Sequence, residues 1–231
     1  MYFYGGYSSY IIFVLPAIIL TMYAQTNVNS TFNKYSKVGN RRGLTAYEVA
    51  RKILDLNGLY NVSIESISGK LTDHFDPRAN VIRLSDSTRN STSVAAIGVA
   101  AHEVGHAVQY AKGYMPIKLR NAIVPVVQFS SYLAWPLVLI GLVLSAPALA
   151  EFGVILFTFV VAFQLITLPV EFNASSRAIK TLNSEMILDD EETKSAKKVL
   201  KAAALTYVAS AAVAIGNLLR LLVLTGRSNR D

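Results

Sequence analysis

Long uncharged blocks constrain this chain more than any other feature it has. Residues 1–33 contain no charged side chain, residues 122–150 contain none either, and after the lone Glu151 the run resumes over 152–170. A helix crossing a bilayer needs about 20 apolar residues, each rising about 1.5 Å. In lipid the backbone must satisfy its own hydrogen bonds, so such blocks become helices. The stretch 122–170 is too long for one crossing, and Ser145-Ala146-Pro147 is its natural break. Spans are therefore expected over 123–144 and 148–170, joined as a tight hairpin. The first block, centred on 10–23, has neither a positive start nor a small-residue cleavage site, so it reads as an uncleaved span. A fourth span is expected over about 202–224, with Arg220 near its end able to snorkel. Composition agrees, with 52% hydrophobic and 16% charged residues against about 25% charged in soluble domains. This balance also excludes intrinsic disorder.

The net charge of +7 follows the same logic. Lys34, Lys37, Arg41 and Arg42 come after the first span, and Lys112, Lys118 and Arg120 precede the second. Arg177, Lys180, Lys194, Lys197, Lys198 and Lys201 lie between the third and fourth, whereas the hairpin loop has no cation. Cytoplasmic flanks collect Lys and Arg. The expectation is a multi-pass cell-membrane protein with 34–121 and 171–201 in the cytoplasm and the N-terminus outside; Arg227 and Arg230 run against the pattern. No basic stripe with interleaved aromatics appears, so nucleic acid is not an expected partner. The Tyr residues and Trp135 near span ends read as interfacial belts, and Pro125, Pro136, Pro147 and Pro169 as prolines that membrane helices tolerate.

The expected organisation is a span over 1–33, a cytoplasmic part over 34–121, a transmembrane hairpin over 122–170, cytoplasmic helices over 171–201, and a final span and tail over 202–231. The fold class is mainly α: about four transmembrane helices plus a small α+β cytoplasmic body. Thr45 and Glu48 form a capping-box pattern that opens a helix ending near Gly58. Strands are expected over 60–66, 70–75 and 80–84, the last two joined by a turn at Asp76-Pro77. A long helix is expected over 93–112, a further one over 173–182, and the acidic run 189–192 suits the first turn of a helix entering the fourth span.

Cysteine is absent and only three histidines exist, so thiolate sites are excluded and any metal must be held by His, Asp or Glu. Two of the three form His102-Glu103-Val104-Gly105-His106. Positions i and i+4 share a helix face, so both imidazoles can reach one cation. Glu103 then stands close enough to take a proton from water activated by the metal. Gly105 costs about 1 kcal/mol in mid-helix, which suggests close approach of another backbone, either at the metal face or against a span helix. A catalytic zinc keeps three protein ligands. Glu171, beside the end of the third span, is the expected third, because the hairpin should bring that end to the motif helix; the plain alternative is an interfacial Glu paired with Arg177 or Lys180. Glu151 would lie on the opposite membrane face. His74, flanked by Asp73 and Asp76, either stabilises an oxyanion or fixes its turn; Arg177 and Tyr110 are other candidates for the oxyanion role.

Longer strings carry a family resemblance: Tyr23-Ala24-Gln25, residues 71–77 (LTDHFDP), 101–107 (AHEVGHA), 133–137 (LAWPL) and 168–175 (LPVEFNAS). Through them nearly the whole chain resembles the YugP-type neutral zinc metallopeptidases of bacterial membranes, and more distantly the HtpX-type membrane metallopeptidases. The resemblance implies a zincin-like core, one Zn2+ per chain, and peptide or membrane-protein substrates. One departure stands out. HtpX-like enzymes place an Asp four residues after the third-ligand Glu to orient a ligand histidine, and here that position is Ser175, with Asn173 the other candidate for the task. By analogy with zincins, strand 80–84 offers an edge to an extended substrate.

The expected function is a membrane-integral zinc metalloendopeptidase with Glu103 as general base. Two alternatives compete: an intramembrane protease, since 90–111 holds one acid and no Lys or Arg, and a non-catalytic metal-bound scaffold.

Overall fold

A computed structural model describes residues 7–228; Arg230 and the first six residues lie outside that range. A π-helical turn, Tyr10–Val14, leads into α1 (Leu15–Tyr35). Helix α2 (Ala46–Leu56) begins as its sequence dictates. The Thr45 hydroxyl accepts from the Glu48 N–H at 3.2 Å, and the Glu48 carboxylate accepts from the Thr45 N–H at 2.8 Å. Gly58, at φ +72°, lets the chain turn away past Asn57.

Three short strands follow, β1 (Ser63–Ile67), β2 (His74–Asp76) and β3 (Val81–Ser85), in the order β1-β3-β2. β1 runs parallel to β3, and β2 antiparallel to it. The expected strand over 70–75 is reduced to its end, because Gly69 at φ +109° and Leu71 at φ +57° cannot continue an extended ladder. The segment 80–84 is not the edge it was expected to be. As β3 it is paired on both sides, which leaves β1 and β2 as the edges.

Helix α3 (Val94–Ala111) is capped by Ser93, whose hydroxyl accepts from the Ala96 N–H at 3.2 Å. Then come α4 (Met115–Val143), α5 (Pro147–Ser184) and α6 (Asp190–Ser228). Pro147 starts α5, where its missing N–H costs nothing. The third span and the helix expected over 173–182 are one unbroken helix, which carries Pro169 inside it. The acidic run likewise opens α6 and continues into the fourth apolar block. Among the described residues four helices, Tyr7–Tyr35, Met115–Val143, Pro147–Ser184 and Asp190–Gly226, are long and apolar enough to cross a membrane. The protein is a multi-pass, mainly helical membrane protein with a small three-stranded sheet.

The chain forms two compact units. Among the described residues, one comprises those up to Gln25, Leu119–Leu168 and those from Thr206 on. Its core includes Val138, Phe157 and Leu221. Close helix contact there depends on glycine, since a Cβ on Gly153 would come within 2.8 Å of the Ala134 carbonyl oxygen. The Arg220 guanidinium lies 5.2 Å from the Tyr10 ring centroid and 5.6 Å from that of Trp135.

The other unit, Thr26–Lys118 with Pro169–Leu205, has its own core built on Leu54, Ile82, Leu84, Ile97, Leu182 and Ile187. α3 packs there against α2, β2 and β3. On the sheet, the Arg83 guanidinium donates to Asp76 at 3.0 Å. Together with the Arg78 and Ala79 N–H groups it holds the Asp76 carboxyl below the usual range. A carboxyl lowered in the folded state stabilises above its unfolded value and loses that contribution as pH falls through the folded one. Asp76→Asn is therefore expected to lower the melting temperature modestly at pH 7 and progressively less as the medium is acidified. Thermal unfolding of both proteins across that range checks it, and a gap that widens toward acid would reverse the sign.

Candidate metal centre

The centre lies wholly within the second unit. α3 places His102 and His106 one turn apart on one face, and α5 brings Glu171 to them. The two Nε2 atoms are 3.1 Å apart, and Glu171 Oε2 is 3.2 Å from His102 Nε2 and 3.5 Å from His106 Nε2. Glu171 is 3% exposed. A buried carboxylate needs a partner, and among the described residues these three form the one His/Asp/Glu group able to hold a metal ion.

Such an approach requires α3 and α5 to be nearly in backbone contact, and Gly105 permits it. A Cβ at that position would sit 2.7 Å from the Ala174 carbonyl oxygen on α5. Both readings of Gly105 meet here, because Ala174 lies on the helix of the third apolar block, three residues past Glu171.

The outward-facing nitrogens are held as well. His102 Nδ1 lies 3.0 Å from the Ser175 hydroxyl, so one of the two residues expected to orient a ligand histidine touches a candidate ligand directly. His106 Nδ1 lies 3.1 Å from Gln109 Oε1. Gln109, fully buried, donates through Nε2 to the Val170 carbonyl at 2.8 Å and to Asn173 Oδ1 at 3.0 Å. Asn173 thus reaches the centre through Gln109 rather than by touching a histidine. Gln109 escaped the sequence reading, although its place three residues past His106, on the same helix face, was the available signal.

Glu103 is buried beside the two histidines, and its Oε2 accepts the Phe75 N–H at 3.0 Å, which ties it to strand β2. Burial pushes its carboxyl above the ordinary range, while His102 and His106 pull it back. His74 begins strand β2, next to Phe75. Its Nδ1 is 2.9 Å from the Thr72 carbonyl, and its Nε2 3.5 Å from the Arg83 guanidinium on the neighbouring strand. Of the other oxyanion candidates, Tyr110 packs edge-on against Phe75 with centroids 6.1 Å apart, and Arg177 donates to Asn173 Oδ1 at 2.7 Å.

Comparison with known proteins places this arrangement. No solved structure matches the chain. A Bacillus subtilis (strain 168) protein named "Putative membrane protease YugP" is 49% identical over 220 residues, covering 94% of this chain and 98% of that protein. The family model described as "Putative neutral zinc metallopeptidase" matches residues 10–226, essentially the whole described chain, so the chain belongs to that family.

Proposed function

We propose that the protein is a membrane-integral zinc metalloendopeptidase, in which His102, His106 and Glu171 hold one Zn2+ per chain and Glu103 is the general base. One observation carries the reading: three ligand atoms 3.1, 3.2 and 3.5 Å apart. Zinc–ligand bonds of about 2.0–2.1 Å in a tetrahedron imply edges of roughly 3.3–3.4 Å. The donor set fits too, since two imidazoles and a carboxylate are the ligands of a catalytic zinc that keeps a fourth position open.

When bound, zinc supplies Lewis acidity toward water and the peptide carbonyl. Glu103, tied by the Phe75 N–H and with its carboxyl raised by burial, accepts the proton of the attacking water and returns it to the leaving amine. Ser175 and Gln109 keep the imidazoles turned inward. An oxyanion donor is left to Tyr110, Arg177 or His74. The edge strand β2 takes over from 80–84 as the candidate for an extended substrate. α3 is not among the four helices suited to cross a membrane, which favours hydrolysis outside the bilayer over the intramembrane alternative. The Lys and Arg pattern supports a cytoplasmic catalytic body, with peptides or membrane-proximal proteins as its substrates.

Elemental analysis of detergent-purified protein tests the reading. One zinc per chain in the wild type, lost in His106→Ala and in Glu171→Ala, is expected. A wild type without metal would overturn it, and zinc retained at full affinity in Glu171→Ala would overturn the third ligand.

A further inference from the structure

The hydrogen bonds behind His106 have a direction, and it starts at a group that can only donate. Arg177 Nε donates to Asn173 at 2.7 Å, and a guanidinium has no acceptor. Asn173 must therefore present Oδ1, which obliges Gln109 to present Nε2 to it at 3.0 Å. The Val170 carbonyl, 2.8 Å from the same Nε2 and an acceptor only, imposes that orientation a second time. Gln109 Oε1 is left facing His106 Nδ1 at 3.1 Å. An oxygen there accepts, so Nδ1 must carry the proton, and the neutral ring has its lone pair on Nε2.

We propose that Gln109 is a positioning residue that holds His106 in the Nδ1–H tautomer with Nε2 turned toward the metal position, and that Arg177 and Asn173 set the direction of the Gln109 amide. This rests on the zinc reading given above. It accounts for an otherwise costly choice, a fully buried glutamine 0% exposed on a helix of mostly Ala, Val and Gly. It also explains why the neutral amide is used. A Glu at 109 would aim oxygen at both the Val170 carbonyl and Asn173 Oδ1, whereas an Asp at 173 would still accept from both of its donors.

The experiment measures two quantities in wild type, Gln109→Met, Gln109→Glu, Asn173→Asp and Arg177→Met. The first is zinc affinity by competition with a chelator. The second is the 15N shift pattern of His106 in metal-free protein at alkaline pH, where the imidazole is neutral. Gln109→Met is expected to lose about 10–100-fold in affinity and to shift His106 toward the Nε2–H tautomer. Gln109→Glu should lose at least as much, Arg177→Met less, and Asn173→Asp should keep the wild-type tautomer, which also guards against a general folding defect. Unchanged tautomer and affinity in Gln109→Met would overturn the proposal. So would a wild-type His106 protonated on Nε2. If the wild type binds no zinc, the functional reading fails by itself, while a tautomer change in Gln109→Met still supports the positioning role.

Discussion

Glu103→Gln is expected to reduce peptide hydrolysis by about 10²–10⁴-fold, the usual contribution of a positioned general base, and to leave one zinc per chain in place. The substitution isolates basicity from structure. Glutamine has the shape of glutamate, and its carbonyl oxygen can still accept the Phe75 N–H that Glu103 Oε2 accepts at 3.0 Å. Glu103→Ala would leave that N–H unpaired and open a cavity, so it would confuse the two effects. Because the carboxylate acts in the chemical step, the loss should appear in kcat with little change in KM. Cleavage of an unfolded protein substrate by purified wild type and variant, with zinc measured on the same samples, decides the matter. Equal turnover would remove Glu103 as the base. Lost zinc would mean that its carboxylate helps to build the site.

How much of this could be read beforehand depends on the range over which each signal acts. The four apolar helices follow from local composition, and the start of α2 from the Thr45–Glu48 pair, because both are properties of contiguous residues. The pairing of His102 with His106 is likewise local, one turn of one helix. Glu171 could be tied to them only through an argument about the hairpin, 65 or more residues away in sequence, as the separation of 69 between His102 and Glu171 records. Strand order was beyond such reasoning. Nothing in 80–84 distinguishes a central strand from an edge, and it is the parallel pairing with β1 and the antiparallel pairing with β2 that put β3 between them. The short reach of β2 turned on positive φ at Leu71, which a leucine does not advertise. Gln109 was missed because a glutamine has no chemistry of its own at a metal site, and its meaning comes from Asn173 and Arg177 across the helix interface.

Gly105→Ala is the second substitution with a large expected effect, and its sign runs against local propensity. In an open helix, Gly→Ala stabilises by about 1 kcal/mol. At 105 the new methyl would meet the Ala174 carbonyl oxygen at 2.7 Å and its carbonyl carbon and Cα at 3.2 Å. These are backbone atoms of another helix, so no side chain can swing aside, and α5 itself must move away. Overpacking of this kind typically costs about 1–3 kcal/mol. Ala174 lies between Glu171 and Ser175, so the same displacement pulls the proposed third ligand and the His102 partner away together. Zinc affinity should therefore fall by more than the roughly 10–100-fold expected from losing one supporting hydrogen bond. Gly98→Ala supplies the control on the same helix, because its Cβ would meet Ala196 Cβ at 3.4 Å, an ordinary contact. Melting temperature should rise slightly or hold in Gly98→Ala and drop in Gly105→Ala, with zinc loss confined to the latter. A Gly105→Ala protein that melts later than wild type and still holds its zinc would show that the spacing of α3 and α5 is not what sets the metal site, and the glycine would then need another explanation.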